Sequence, residues 1–293
     1  MDINDIQSLF NTLYKTGVRR LGIMGGEPLL RKDIVQIINL AKKKGFFVSL
    51  NTNLLLYPKY TNQLDKVDLF LTSLDGDSST HIANRGKGSY DGVIDTIQHI
   101  VNNSQPVIAI CVINSDNLDQ ATFLLDLADQ IGFKIHFQPH CVNSHYARGQ
   151  LPKELTNEAL RKFWQELKAK KRAGKAIASS LLFLEHMARW KDFSVTSFKD
   201  SSYQCSAGAT HLFVDSMGDA YPCIHLPEKV TPVNLLAEKH TAPEFQQLPC
   251  TQCIVGPMAE LNAISRMPVA YLTSLVQWYL KHQKKILHHK FKN

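Results

Sequence analysis

The sequence lacks the long apolar stretches and the leader that direct a chain to a membrane. No segment approaches the ~18 uninterrupted apolar residues of a membrane span, and Met1 is followed by Asp2 and Asp5 rather than by basic residues and an apolar run. Cysteine is also scarce, at six in 293 residues, which excludes a disulfide scaffold and favours a reducing compartment. We therefore expect a cytoplasmic protein without a membrane partner.

Acidic residues are outnumbered by basic ones, and the net charge is +7. The excess of lysine and arginine is concentrated in two runs, at 168–175 and 281–292. Such runs are usually solvated faces, so we expect no nucleic-acid partner. The length allows one large domain or two modest ones.

The first half of the chain alternates apolar runs of strand length with segments of helical periodicity. Predicted strands cover 18–24, 46–50, 67–72, 107–113 and 133–137, and predicted helices between them include 32–44, 118–130 and a short segment near 60–64. Strands and helices at this spacing predict a parallel sheet covered by helices. The pattern alone does not distinguish a barrel from an open sheet.

Each predicted strand is apolar along its length and polar at its carboxyl end. The polar positions include Glu27, Asn53, Ser73, Asp75, Asn114 and Gln138. Because the carboxyl ends of parallel strands meet at one edge of the sheet, these residues predict a single crevice lined by hydrogen-bonding groups. The adjacent Gly25 and Gly26 let a backbone approach a ligand closely, and Glu27 is suited to accept hydrogen bonds from a ligand ammonium group.

The second half carries four cysteines in a pattern typical of a metal centre. Cys205 and Cys223 flank a predicted β-hairpin, and two residues separate Cys250 from Cys253, so that both thiolates can reach one metal. Four thiolates suit either a zinc ion or a 4Fe-4S cluster, and composition does not separate the two. Amphipathic helices are predicted through 155–167, 181–190 and 258–293.

As an ordered set, the motifs of the first half resemble those of the radical S-adenosylmethionine superfamily. They are Gly-Gly-Glu-Pro at 25–28, Asn-Thr-Asn at 51–53, Ser-Leu-Asp-Gly at 73–76 and Arg-Gly-x-Gly-Ser-Tyr at 85–90. The resemblance covers about 1–140 and implies an α/β fold, a partial (β/α)6 TIM-like barrel. It implies that residues 25–27 hold the amino group of S-adenosylmethionine, that Ser73 and Asn53 lie near its ribose and carboxylate, and that Arg85 is a carboxylate partner.

The cofactor-binding set that the resemblance implies is Gly25, Gly26, Glu27, Pro28, Asn53, Ser73, Asp75, Arg85, Asn114 and Gln138. Asn114 and Gln138 would lie deeper, towards ribose, adenine or substrate. For these two residues, a polar group satisfied within the fold is an equal alternative.

Residues 203–255 resemble the auxiliary-cluster extension of the same superfamily, called twitch in its shorter form and related to the SPASM domain. This resemblance implies a β-hairpin iron-sulfur module with one auxiliary 4Fe-4S cluster, rather than zinc, on Cys205, Cys223, Cys250 and Cys253. The implied domains are a partial barrel at 1–148, a helical connection at 149–200, an auxiliary cluster domain at 201–256, and a C-terminal helix with a basic tail at 257–293.

One feature of the superfamily is missing from this sequence. Its catalytic 4Fe-4S cluster is held by C-x3-C-x2-C in the loop after the first strand, whereas here no cysteine precedes Cys111 and that spacing occurs nowhere. We therefore expect a barrel without its first strand and cluster loop, inactive in radical chemistry as given. The catalytic cluster is expected in a full-length form.

The function implied is S-adenosylmethionine-dependent radical hydrogen abstraction from a peptide, protein or small-molecule substrate, of the peptide maturase, oxidoreductase or dehydrogenase type. A reductant such as flavodoxin or ferredoxin would serve the full-length form. The alternative is a non-catalytic S-adenosylmethionine-binding remnant whose four-cysteine module is structural and binds zinc.

Overall fold

The computed structural model describes residues 1–141, 155–200, 205–225, 230–237, 243–245, 248 and 250–265. Its first half alternates helices and strands in this order: α1 (Ile3–Lys15), β1 (Arg20–Ile23), α2 (Ile34–Lys44), β2 (Phe47–Asn51), β3 (Leu69–Ser73), α3 (Ser78–Arg85), α4 (Ser89–Asn102), β4 (Val107–Ile113), α5 (Ala121–Ile131) and β5 (Lys134–Pro139). The five strands form one sheet in the order β1-β2-β3-β4-β5, and every pair is parallel. The predicted α/β class is confirmed.

Local sequence explains where these helices begin and end. Asp2 caps α1 by accepting hydrogen bonds from the backbone N–H groups of Asn4 and Asp5. The Asp5 carboxylate in turn accepts a hydrogen bond from Asp2 N. α2 ends at Gly45, whose φ of 98° is a left-handed conformation that glycine adopts without strain. The buried side of α1 is the predicted apolar stripe, which includes Ile6, Leu9 and Leu13.

The two faces of the sheet differ in how far they are covered. Along β4, residues 107, 109, 111 and 113 are buried, and the residues between them are half-buried. The register places the half-buried positions of neighbouring strands side by side, so they form a second face that we call the open face. Its half-buried members include Ser49, Asn51, Leu71, Ser73, Ile110, Val112, His136 and Gln138, and the exposed Gly22 lies beside Ser49 on the same face.

The second half of the chain comprises α6 (Asn157–Arg172), α7 (Leu181–Arg189), β6 (Ser197–Phe198), β7 (Phe213–Val214), β8 (Asp219–Tyr221), β9 (Val233–Asn234), β10 (Gln252–Cys253) and α8 (Gly256–Ser265). The predicted hairpin is confirmed as the antiparallel pair β7 and β8, and β9 adds a third strand that the sequence pattern did not predict. β10 pairs with β6. Buried residues such as Leu235, Ile254 and Val255 join the hydrophobic core of the sheet, so this half packs against the first.

Two further contacts place the second half around the sheet. A parallel bridge between Ile135 and Ile177 covers the outer edge of β5, with Ile135 N donating to Ala176 O at 2.9 Å and Ala178 N donating to Ile135 O at 2.7 Å. The turn between β7 and β8 reaches the start of α1, where Met1 N donates to Ser216 O at 3.0 Å. The second half therefore extends from the β5 edge to the carboxyl-end side of β1.

Several local predictions were wrong. The segment near Tyr60–Leu64 is not a helix: a 3-10 turn at Tyr57–Tyr60 precedes it, and Asn62 has a φ of 67°. The sequence pattern did not predict α3, and the glycine-rich loop is correspondingly shorter, because Arg85 ends α3 and Ser89 begins α4. Of the predicted helix at 258–293, the part up to Ser265 is observed as α8. Residues 266–293 lie outside the described residues.

None of the described helices combines the length and the apolar character that crossing a membrane requires.

Candidate functional site

The carboxylate of Glu27 joins the polar ends of β1 and β2. Its Oε1 accepts hydrogen bonds from Leu29 N at 3.0 Å and from Thr52 Oγ1 at 2.7 Å, and its Oε2 accepts one from Asn53 N at 2.8 Å. The bond from Leu29 caps the 3-10 turn Pro28–Leu30, in which Pro28 occupies the first position and is buried. A carboxylate offers about four lone-pair positions, so one on Oε2 is left for a donor from outside this set.

Gly25 and Gly26 precede this carboxylate and are both exposed. Neither has a positive φ, and a Cβ built on either would meet no described atom within 4 Å. The conformation and packing of the described residues therefore do not require glycine at either position. Glycine at these two positions leaves the backbone accessible beside a fixed carboxylate.

Sequence reasoning missed Thr52, which lies between two asparagines at the end of β2. It is 3% exposed, donates to Glu27 and accepts from Leu54 N at 3.1 Å. Leu54 is fully buried and has a φ of 63°, an uncommon conformation for a leucine, which costs free energy and is held by these bonds. A buried threonine after a strand could have been noticed as a residue that must satisfy its hydroxyl locally.

The remaining candidates from β2 and β3 follow the open face. Asn53 is exposed, and its Oδ1 accepts from Leu55 N at 3.0 Å, which uses one acceptor in a local turn. Ser73 ends β3 on the open face, half-buried, and pairs with Ile110, which in turn pairs with His136. Asn51 pairs with Leu71, and Ser73 lies two residues beyond Leu71, closer to the carboxyl end of the sheet.

Asp75 and Arg85 form an ion pair. Arg85 Nε donates to Asp75 Oδ2 at 2.6 Å, and the Asp75 side chain is 3% exposed. The hydrogen bond from Arg85 to Asp75 raises the pKa of the guanidinium, and burial lowers the pKa of His81, whose Nδ1 accepts from Asp75 N at 3.3 Å. The carboxylate that Arg85 contacts in this structure is therefore one from its own chain.

Asn114 forms a local turn after β4. Its backbone N–H donates to Asn117 Oδ1 at 2.8 Å, and its side-chain Oδ1 accepts from Asp116 N at 2.8 Å. This geometry fits the alternative of a polar group satisfied within the fold. Gln138 lies half-buried on the open face of β5, where its Oε1 would be 3.3 Å from a Cβ built on Gly256. Its ligand role and that of Asn114 stay predictions.

His136 is a second residue that the sequence pattern did not indicate, because it lies inside an apolar strand. Its Nδ1 lies 2.8 Å from Ser179 Oγ, and no described group bonds to its buried Nε2. A Cβ on Gly256 would be 2.6 Å from that Nε2, so glycine is required where α8 begins beside β5. Burial lowers the pKa of His136 to about 4, which keeps the imidazole neutral near pH 7.

The four cysteines of the second half lie in one region. Cys205, Cys223 and Cys250 pack in the same small cluster around Ala207, and Cys253 is buried beside it. Burial, together with the charges of the other cysteines, raises the pKa of Cys223 to about 11 and that of Cys253 further. Unligated thiols here would be protonated, and metal binding would have to displace those protons.

Hydrogen-bond donors point at three of these sulfur atoms. Cys223 accepts from the backbone of His225 and Cys253 from that of Val255, and each bond lowers the thiol pKa against the effect of burial. Cys205 Sγ accepts from Asn262 Nδ2 at 3.4 Å. Such donors stabilise sulfur in its anionic, ligating form.

The four cysteines supply a donor set made of sulfur alone. In a 4Fe-4S cluster each thiolate would hold a different iron, whereas a zinc ion would take all four. Among the residues that the structure describes, no three histidine, cysteine, aspartate or glutamate side chains form a group that could hold one metal ion. The chemistry of four thiols, with N–H donors at three of them, fits either a 4Fe-4S cluster or a zinc ion.

The other two cysteines belong to the sheet. Cys111 is fully buried in β4, and Cys141 is 5% exposed just after β5. Burial raises the pKa of Cys141 to about 12 and that of Cys111 further, so both are inert apolar side chains. The residues of this chain thus do not provide the C-x3-C-x2-C ligands of a catalytic cluster.

We compared the chain with known protein families, curated sequences and solved structures. Residues 1–128 match the sequence model of the Radical SAM superfamily. A probable GTP 3',8-cyclase of Methanococcus maripaludis is 38% identical over 81 residues, which are 26% of this chain and 27% of that protein. An AdoMet-dependent heme synthase of Methanosarcina barkeri is 27% identical over 221 residues, 70% of this chain and 62% of the synthase. The chain thus spans less than two thirds of either relative.

The fold also matches a solved structure. Streptococcus suis SuiB bound to S-adenosylmethionine superposes with a TM-score of 0.63 at 18% identity, over 80% of this chain and 56% of SuiB. SuiB has also been crystallised with its precursor peptide SuiA. At this identity the match supports the fold, and it extends beyond the sheet into the second half of the chain. The first 128 residues of this chain are therefore a domain of the radical SAM superfamily.

Proposed function

We propose that this chain binds S-adenosylmethionine at the carboxyl ends of its parallel strands and holds one 4Fe-4S cluster on Cys205, Cys223, Cys250 and Cys253. Glu27 carries the first part of the proposal: its carboxylate is held by three hydrogen bonds and keeps one lone-pair position for a ligand ammonium. Gly25 and Gly26 support it, since the described fold needs glycine at neither position.

The open face would receive the rest of the ligand. Asn51 and Ser73 offer polar groups towards the carboxyl edge, and His136, neutral near pH 7, offers hydrogen bonding without a charge. The ion pair with Asp75 satisfies one edge of the Arg85 guanidinium, so any carboxylate of the ligand would share Arg85 with Asp75. The chain's own residues would thus bind and orient the ligand, and the bulk of the second half would restrict access of water to the open face.

The reaction class follows from the family. Bound S-adenosylmethionine is the source of a radical in this superfamily, and the auxiliary cluster would accept an electron or bind substrate. The ligands of the catalytic cluster are not among these 293 residues, so no chemical step is assigned to the chain. Of the substrate classes, a peptide is supported by SuiB and its precursor peptide, and a small molecule by the cyclase and the heme synthase.

The second candidate is an S-adenosylmethionine-binding remnant with a structural zinc module. The absence of C-x3-C-x2-C from the sequence favours it. Both candidates share the S-adenosylmethionine site, so metal content separates them. The domain limits at 148, 200 and 256 stay predictions.

Two measurements test the proposal. Protein purified without oxygen and reconstituted with iron and sulfide should contain about four irons and four sulfides per chain. Zinc at one per chain with no iron would refute the cluster and leave the remnant.

Calorimetry with S-adenosylmethionine tests the first part of the proposal, the ligand site at Glu27. Glu27→Ala should weaken binding by about 1.5 to 3 kcal/mol, the value of a hydrogen bond to a charged group. Glu185→Ala is the control for loss of a glutamate side chain, because Glu185 lies on α7, where it pairs with Lys168 and Arg189. Equal affinities for wild type and Glu27→Ala would move the ligand site elsewhere.

A further inference from the structure

We infer that Asn262 sets the reduction potential of the auxiliary cluster through its hydrogen bond to Cys205. The inference rests on the proposed function, because it needs a cluster on the four cysteines. Asn262 lies on α8, nine residues after Cys253 in the chain, and belongs to none of the cysteine motifs. Its side chain is 5% exposed, so the contact with sulfur is shielded from water.

The orientation of the Asn262 amide is fixed by its other partners. Its Oδ1 accepts from Ser206 N at 2.8 Å and from Ser206 Oγ at 2.7 Å. A backbone N–H can only donate, so the atom facing it must be the amide oxygen, and the opposite orientation is excluded. The amide nitrogen is therefore the atom that lies 3.4 Å from Cys205 Sγ, as a donor.

The hydrogen bond from Asn262 differs from those that Cys223 and Cys253 accept. Cys223 and Cys253 accept from the backbone N–H two residues further along, and every residue except proline supplies such a group. The donor to Cys205 comes from a side chain 57 positions away, so it depends on the identity of one residue and on the docking of α8. A substitution at Asn262 removes this donor, and Asn262→Asp does so while an oxygen stays in place for Ser206.

The effect on a bound cluster follows from charge. Reduction adds an electron and increases negative charge on the sulfur ligands, and an N–H donor stabilises that form more than the oxidised form. A hydrogen bond to a ligating sulfur thus raises the reduction potential, and its loss lowers it. With Asn262 in place, the auxiliary cluster would be a better electron acceptor than a cluster on the same four thiolates without this hydrogen bond.

The test is a redox titration of the reconstituted full chain, monitored by electron paramagnetic resonance, with iron content measured on each sample. Asn262→Leu removes the donor at similar volume and should shift the midpoint potential to a more negative value with iron content retained. Asn234→Leu is the matched control, since its amide lies in the same module and its described hydrogen bonds go to Asp219, Met217, Leu236 and Ala237, none of which is a cysteine. It should keep the wild-type potential.

The other outcomes distinguish failure of the tuning role of Asn262 from failure of the proposed cluster. An unchanged potential in Asn262→Leu with full iron would overturn the tuning role and leave the cluster assignment standing. Absence of iron from the wild-type protein would overturn the cluster itself. Loss of iron from both Asn262→Leu and Asn262→Asp, which keeps an oxygen for Ser206, would show that Asn262 holds the Cys205 loop and does not tune it.

Discussion

The hydroxyl of Thr52 donates to the carboxylate of Glu27 across 2.7 Å, and this bond ties the turn after β2 to the turn after β1. The same hydroxyl accepts from Leu54 N, which holds Leu54 in its left-handed conformation. The ligand contact proposed for Glu27 would thus depend on the buried Thr52, which fixes the carboxylate.

Thr52→Val should impair both stability and ligand binding. Valine has the same shape without the hydroxyl, so Leu54 N loses its acceptor and Glu27 loses one of three donors. We expect a loss of about 1 to 3 kcal/mol in the free energy of unfolding, measured with urea, and weaker S-adenosylmethionine binding in calorimetry. Thr96→Val, a buried threonine of α4, controls for the substitution. Wild-type affinity in Thr52→Val would show that Glu27 is positioned by other contacts.

Gly26→Ala should separate binding from folding. The residue has neither a positive φ nor a close neighbour, so the free energy of unfolding should stay within about 0.5 kcal/mol of wild type. The added methyl group would lie where a ligand approaches the backbone, and affinity for S-adenosylmethionine should fall. Chemical denaturation and calorimetry on the same sample check both. An affinity equal to wild type would remove residues 25–26 from the site.

The buried His136 predicts a pH dependence of stability. Its pKa is lowered to about 4 in the folded protein and is about 6.5 when unfolded, so the unfolded chain binds the proton first as the pH falls. The stabilisation by the neutral imidazole is therefore complete above about pH 6.5, decreases between pH 6.5 and 4, and amounts to at most about 3 kcal/mol.

Urea unfolding at a series of pH values measures this effect. His136→Gln should reduce the slope of stability against pH in that window, and His99→Gln, which changes an exposed histidine, should not. Some slope will persist in His136→Gln, because burial also lowers the pKa of His81 and of His211. A slope equal to wild type in His136→Gln would assign the acid sensitivity to those two residues.

Cys223→Ala should abolish iron binding in reconstituted protein and leave S-adenosylmethionine binding unchanged, since Cys223 packs with Ala207 and other cysteines of the second half and belongs to no strand of the main sheet. Cys111→Ala is the control for losing a buried cysteine, because Cys111 lies in the sheet core and should not affect iron. Iron and sulfide analysis reports the first effect and calorimetry the second. Full iron content in Cys223→Ala would remove that residue from the ligand set.

The sequence was sufficient for the sheet, because apolar runs of strand length are local signals, and the ligand crevice at their polar ends stays a prediction. It failed where the decisive contact joins distant residues. Arg85 is placed by α3, whose weak apolar pattern gave no signal, and so its pairing with Asp75 was not foreseen. His136 and Gly256 are 120 positions apart in the numbering, and no spacing rule connects them. Thr52 was overlooked because its role requires knowing where Glu27 lies.

The two edges of the main sheet are not equivalent. At β5 the bridge with Ile177 takes up backbone groups of Ile135, whereas β1 has a strand neighbour on one side in the part of the chain that the structure describes. The β1 edge can therefore take a further strand by backbone hydrogen bonds. A strand added there would lie next to the turn that carries Glu27.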